Sequence, residues 1–420
     1  MDTPAAIDAV WRIEAARVIA GLTRIVRDVA VAEDLAQDAL VSALQQWPRD
    51  GIPQNPGAWL MQAAKHRAID HVRRRQLLER KHDQIAYETP GSHDTTAELE
   101  ETLDDDVGDD LLRLMFAACH PVLPAEARVA LTLRLVGSLT TVEIARAYLT
   151  SEVTIAQRIV RAKKTLAARR VPFEVPRGAD RAARLASVLE VIYLIFNEGY
   201  TATSGTEWMR VGLCEDGLRL GRMLAELVPD EPEAHGLVAL MEIQSSRLKA
   251  RTGPTGEPIL LLDQNRARWD HLLIRRGLAA LERAERLGGA SGPYTLQAAI
   301  AACHGRARRA EDTDWPRIVE LYDALAVVQP SPVVALNRAV AVGMASGAQA
   351  GLDAVEPLRS EPSLRGYHLL PSIRGDLLAK LGRAGEAKTE FERAASLTEN
   401  DRERTLLLQR AEACGASTSR

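Results

Sequence analysis

A chain of 420 residues exceeds one ordinary hydrophobic core and implies several domains. Sparse aromatics (4%) and an excess of Ala, Leu, Arg and Glu favour helix over sheet. The net charge of −4 excludes a uniformly basic nucleic-acid binder, but charge is unevenly placed: 65–81 and 158–170 are basic, whereas Asp83 to Asp110 holds no Lys or Arg.

The four cysteines are scattered, with no CxxC pair and no ligand cluster, so neither a disulfide framework nor a metal or cofactor site is expected. No signal-peptide pattern and no bilayer-length apolar run are present, so the expected setting is the cytoplasm, away from membranes.

In chain order, apolar residues recur at helical spacing from Ala9 to Trp47, with Val31, Leu35, Ala39, Ala43 and Trp47 on one face. Pro48 to Pro56 predicts a break, with Asn55 capping a second helix from Ala58 to about Arg75. Residues 83–110 read as an acidic linker. A helix then restarts at Asp109, two more follow the Pro121–Pro124 break, and VPFEVPRG (171–178) predicts a domain boundary. Beyond it, helix pairs repeat. QAAIAACHGRA precedes WPRIVELYDAL, ALNRAVAVGMA precedes GLDAVEPL, and IRGDLLAKLGR precedes AGEAKTEFERAASL, the pattern of stacked helical repeats.

Two segments carry chemistry. In LTTVEIARAYLTSEVTIAQRIVRAKKTL (139–166), Thr140 and Glu143 suit a capping box, Tyr148–Thr150 a turn and Ser151 a second cap. Val153, Ile155 or Ala156, Ile159 and Val160 are expected inside. That is helix-turn-helix spacing, in which the second helix enters the major groove. Thr154, Gln157, Arg158 and Arg161 then face bases, and Lys163 and Lys164 face phosphates. An αα-hairpin with a solvated basic face is the weaker reading.

In NPGAWLMQAAKHRAIDHVRRRQ (55–76), Lys65, Arg67, Arg73, Arg74 and Arg75 crowd one helix, as a separated strand requires. Trp59 belongs either to the core, the favoured reading, or to an unstacked base.

Together these segments resemble the sigma factors of bacterial RNA polymerase, in their short extracytoplasmic-function form. The resemblance implies that AEDLAQDALVSALQQW docks on the polymerase clamp through Asp34, Leu35, Gln37 and Asp38. It implies that NPGAWLMQAAKHRAIDHVRRR melts and reads the −10 element through Trp59, Lys65, Arg67 and Arg73 to Arg75. Residues 111–166 become the region that reads the −35 element and meets the polymerase flap. RLMFAACHP, VIYLIFNEGY and DQNRARWD are similar to phrases of a subgroup with a long tetratricopeptide-like C-terminal extension, and the architecture suggests that the extension controls activity.

The expected fold is all-α: a first sigma domain (1–82), the linker (83–110), a helix-turn-helix domain (111–170) and an α-solenoid of tetratricopeptide-like helix pairs (179–415). In the extension, Asn197, Glu198 and Tyr200 flank Gly199, read as a helix stop, and Asp263, Asn265, Arg266, Arg268, Trp269 and Asp270 crowd a short stretch. These clusters tie helix ends together, the preferred reading, or form a site for an unknown ligand, partner or neighbouring domain.

No nucleophile–base pair, P-loop or GxSxG elbow is present, so catalysis is not expected. The competing assignment is a stand-alone helix-turn-helix regulator whose repeats bind a partner.

Overall fold

The computed structural model describes residues 3–83, 107–148 and 150–417. The chain divides into two compact units, Met1–Val191 and Ile192–Arg420. The acidic linker expected at 83–110 lies largely outside the described residues.

The first unit contains α1 (Thr3–Val26), α2 (Val29–Asp50), α3 (Pro56–Asp83), α4 (Val107–Ala118), α5 (Ala125–Leu135), α6 (Thr141–Ala147), α7 (Glu152–Ala168) and the start of α8 (Ala179–Tyr200). Asp28 caps α2 through Ala30 N and Val31 N. Small residues then let α2 lie close to its neighbours: Ala32, Ala36, Ala39 and Ala43 are buried, and Trp47 closes the stripe. Val31 and Leu35, expected on that face, are only half-buried.

The break expected over Pro48 to Pro56 is present, although it starts just after Pro48. The helix runs through that proline to Asp50 and stops at Gly51, whose φ of 84° no branched residue accepts cheaply. Asn55 caps the next helix as expected, accepting from Ala58 N at 3.1 Å.

The Pro-rich step at 171–178 was expected to divide the chain, yet the compact division falls between Val191 and Ile192. The first part of α8 is bonded to the helices before it: Ser187 Oγ donates to Cys119 O at 2.6 Å, and Arg184 donates to Phe116 O at 2.9 Å. Arg128 adds an ion pair to Glu190 at 2.9 Å.

The second unit continues with the two-residue β1 (Ser204–Gly205), then α9 (Val211–Leu227), α10 (Pro232–Ser245), α11 (His271–Arg286), α12 (Pro293–Arg306), α13 (Trp315–Val328), α14 (Pro332–Ser346), α15 (Ala348–Val355), α16 (Leu369–Lys380), α17 (Ala384–Leu397), β2 (Glu399–Asn400) and α18 (Asp401–Ser417). Nearly all of α10 is buried, as a helix apolar on all sides must be. It packs against α9, α11 and α12.

The three repeat pairs seen in the sequence are α12 with α13, α14 with α15, and α16 with α17, each packed on the next. Small residues set one spacing: a Cβ built on Gly351 would lie 2.7 Å from Gly343 Cα, so α14 and α15 touch through backbone.

Gly199, expected to stop α8, lies inside it. A Cβ there would come within 2.5 Å of Cys214 N, so this glycine admits α9 rather than ending a helix.

The two ends of the second unit meet. β1 and β2 pair in parallel, and the buried Asn400 side chain donates to Ala202 O at 3.1 Å and Glu207 O at 2.8 Å. Its Oδ1 accepts from Arg402 N and Glu403 N, capping α18. A helical array tied end to end in this way has fewer ways to fray than an open one. No helix among the described residues is long and apolar enough to cross a membrane.

Candidate promoter and polymerase interface

The helix-turn-helix forms around two caps. Thr140 N donates to Glu143 Oε2 at 2.8 Å while Glu143 N donates to Thr140 Oγ1 at 3.1 Å, a reciprocal box that starts α6. Ser151 Oγ accepts from Thr154 N and starts α7. The α7 interior differs from the expected one: Ile155, Ile159, Ala162 and Leu166 are buried, whereas Val153 is 65% and Val160 49% exposed. The buried stripe steps by four, three and four residues along one face, and the two valines lie on nearly the opposite side of the helix.

Gln157, Arg161 and Lys164 are exposed and share one face of α7. Arg158 is half-buried and paired with Glu126 at 2.9 Å, and Thr154 Oγ1 bonds to Ser151 Oγ at 2.7 Å. Lys163 points elsewhere, to the buried Glu33 of α2.

On α2, Asp34 and Asp38 are exposed and Leu35 and Gln37 half-buried, with Gln37 Nε2 donating to Glu33 Oε1 at 3.1 Å. Val41 (49%) and Leu44 (45%) join Asp34 and Asp38 at the surface. Residue patterning alone did not single out these two apolar groups. Exposed aliphatic residues beside paired acids form a face suited to a protein partner.

On α3, Trp59 is half-buried against Trp47, ring centroids 5.3 Å apart and 70° tilted. Arg73, Arg74 and Arg75 are exposed, Lys65 is half-buried, and Arg67 donates to Ser42 Oγ at 2.6 Å.

A polar seam joins α1 and α2 to the helix-turn-helix. Glu33 accepts from Arg134 Nε at 2.6 Å and from Lys163, and Arg12 bonds Glu143 at 2.7 Å. At one end of the seam a cavity of about 690 Å³ is lined by Arg24, Arg27, Lys163, Arg170 and Phe173, among others.

Residues 12–77 match the profile of sigma-70 region 2, and residues 113–166 match that of sigma-70 region 4. The chain belongs to the sigma-70 family. Its helices α1–α3 are thus region 2 and its helix-turn-helix is the reading part of region 4, joined to a C-terminal extension. Within that extension, residues 184–285 match a family of unknown function, DUF6596. An uncharacterized protein of Rhizobium meliloti (strain 1021) is 44% identical over 396 residues, covering 91% of this chain and 90% of the relative. Among solved structures, yeast Tom70 aligns at 11% identity with a TM-score of 0.38, over 95% of this sigma factor and 82% of that chain, too distant to define its fold.

The residues expected in the extension take mixed positions. Asn197, Asp263, Asn265 and Arg268 are exposed. Glu198 pairs with Arg210, Asn265 Oδ1 accepts from Ala267 N, and Asp270 caps α11 through Leu272 N and Leu273 N. Tyr200, Arg266 and Trp269 instead join residues that sequence patterning did not single out: Trp208, Arg247, Arg251 and His304. The signal in the sequence is SSRLKAR (245–251), a basic turn directly after the apolar segment 232–245.

In this cluster Arg251 lies 3.6 Å from the Tyr200 ring centroid and donates to Tyr200 O, while Arg247 donates to the Tyr200 hydroxyl at 2.6 Å. Arg266 stands 4.8 Å from the Trp269 centroid and donates to His304 O at 2.7 Å and Ala307 O at 2.8 Å. Burial pulls Arg251 and Arg266 below the usual guanidinium range, and the charge of Arg247 adds to both. Burial, then the charges of Arg247 and Arg266, push His304 down to about 3, so its ring is neutral.

Proposed function

We propose that this sigma factor binds RNA polymerase core through the α2 face of Asp34, Leu35, Gln37 and Asp38, extended by Val41 and Leu44. In this reading α7 enters the −35 major groove with Gln157 and Arg161 toward bases and Lys164 toward phosphate, while Arg73 to Arg75 of α3 hold the opened −10 strand. The observation that carries it is one exposed face of α7 presenting an amide, a guanidinium and an ammonium at successive turns, in a chain with both promoter-recognition regions. Because Arg158, Lys163 and Arg67 are engaged inside the unit, their DNA contacts belong to a rearranged state. Control of initiation by the extension is part of the same proposal.

The test is run-off transcription by purified bacterial core enzyme on the promoter upstream of the protein's own gene. Full chain should direct a discrete transcript, and Asp34→Ala with Asp38→Ala should remove it by weakening core binding while duplex binding persists. A full-length protein that binds duplex specifically but never core enzyme is a stand-alone regulator, and the proposal fails.

A further inference from the structure

The arginines of the second unit divide into two kinds. Arg210 and Arg374, about nine-tenths buried, each meet a carboxylate, Glu198 and Glu390 respectively. Arg247, Arg251 and Arg266 have no carboxylate within ion-pair distance among the described residues, although Arg251 is 6% and Arg266 9% exposed. Three cations gathered in an interior are strongly disfavoured without a counter-charge.

The same place concentrates buried nitrogens that meet no partner among the described residues: Arg247 Nε, Arg266 Nε, Trp208 Nε1 and Trp269 Nε1, together with His304 Nδ1, whose role follows the tautomer of its neutral ring. They are linked through shared rings: Arg251 lies 5.4 Å from the Trp208 centroid and 3.6 Å from that of Tyr200, and Arg247 lies 5.7 Å from Tyr200 and 5.8 Å from Trp269. The guanidinium and indole nitrogens among them can only donate. What they lack is a compact group that only accepts and carries negative charge.

We propose that Arg247, Arg251 and Arg266, with the indole N–H groups of Trp208 and Trp269, form a binding site for a small phosphate-bearing molecule in the extension. A phosphate group presents terminal oxygens in three directions and carries up to two negative charges against three guanidinium groups, whereas a carboxylate presents two coplanar oxygens and one charge. Burial selects against the backbone of a nucleic acid, which needs exposed cations along a groove. Arg247 and Trp208 are only half-buried, so the cluster reaches the surface of the unit. Binding there gives the extension a chemical input independent of core enzyme and promoter.

The experiment is calorimetric titration of the full chain, in chloride buffer without polymerase or DNA, using sodium pyrophosphate and inorganic phosphate as probes. Sodium acetate at equal ionic strength and a short duplex serve as comparisons. Saturable binding of a phosphate probe, at least about tenfold weaker in Arg247→Gln, is expected. Arg247 is the variant of choice because it is the least buried of the three, and a melting curve without probe confirms that it folds. Absence of heat with both probes, equal heats from acetate, tighter binding of the duplex, or an unchanged affinity in Arg247→Gln each overturns the proposal. Since no transcription is measured, failure here leaves the sigma assignment standing.

Discussion

Arg134 of α5 donates its Nε to Glu33 of α2 at 2.6 Å, and Lys163 of α7 shares the same carboxylate. The Glu33 side chain is 6% exposed, so its charge is held by these two cations rather than by water. Elements centred about 25 base pairs apart stand about 85 Å from each other at 3.4 Å per base pair. A compact unit of this length has a radius of gyration of only about 16 Å. Regions 2 and 4 must therefore separate to reach both elements, and the Glu33 seam opposes that. Glu33→Gln should lower the midpoint of thermal unfolding, through a loss on the order of 3–5 kcal/mol for a buried ion pair deprived of one partner. It should also raise transcript yield at limiting core enzyme. A variant that melts lower yet transcribes no better would show that opening is not limiting.

Base reading by α7 gives a second expectation. Gln157→Ala and Arg161→Ala should each cost about 1–3 kcal/mol on the matched −35 duplex and relax preference at one base position. Lys164→Ala should weaken all duplexes alike and lower the magnitude of the salt slope by about one. Gel-shift titrations over a range of salt distinguish the patterns. Uniform loss in all three variants would reduce α7 to a phosphate contact.

Much of this was legible in the residues because it depends on local spacing. The capping box at Thr140 and Glu143, the caps at Asn55 and Ser151, and the three helix pairs from Gln297 onward all follow short-range rules. The misreadings involve a partner distant in sequence. Gly199, expected as a helix stop, is packed against α9, and Lys163, expected at a phosphate, is held by Glu33. Nothing periodic announces Asn400, whose bonds reach back nearly two hundred residues to Ala202 and Glu207. The arginine cluster was half seen: Arg266 and Trp269 were legible from their crowded neighbourhood, but Arg247 and Arg251 sit in a turn without regular spacing.

The closure at Asn400 carries its own test. Asn400→Ala removes two bonds to Ala202 O and Glu207 O and the cap of α18, leaving buried carbonyls unmet, at a cost of about 1–3 kcal/mol per buried group. Urea unfolding of the variant should show a lower midpoint, and hydrogen exchange should rise first in α18 and in the 202–207 segment. Even exchange across the whole unit would mean that the two ends are not coupled locally.

His304 supplies the pH dependence. Its folded value, near 3, lies below the ordinary value of 6.5, so the unfolded chain binds the proton first as pH falls. Stability from the neutral ring is full above about pH 6.5 and declines between there and about 3, by at most about 1.4 kcal/mol per pH unit. Carboxylates held low, such as Asp376 and Glu403, contribute in the same direction only nearer their own ordinary range around pH 4. The window from pH 6 to 5 therefore separates histidines from carboxylates; His120, also held low by burial, contributes there in the same direction, and the difference between the full chain and a His304 variant assigns the share of His304. Urea midpoints of the full chain should fall across that window, and His304→Gln should flatten the slope by close to one proton. An unchanged slope in the variant would mean that His304 takes up its proton in the folded chain, which the neighbouring charges of Arg247 and Arg266 disfavour.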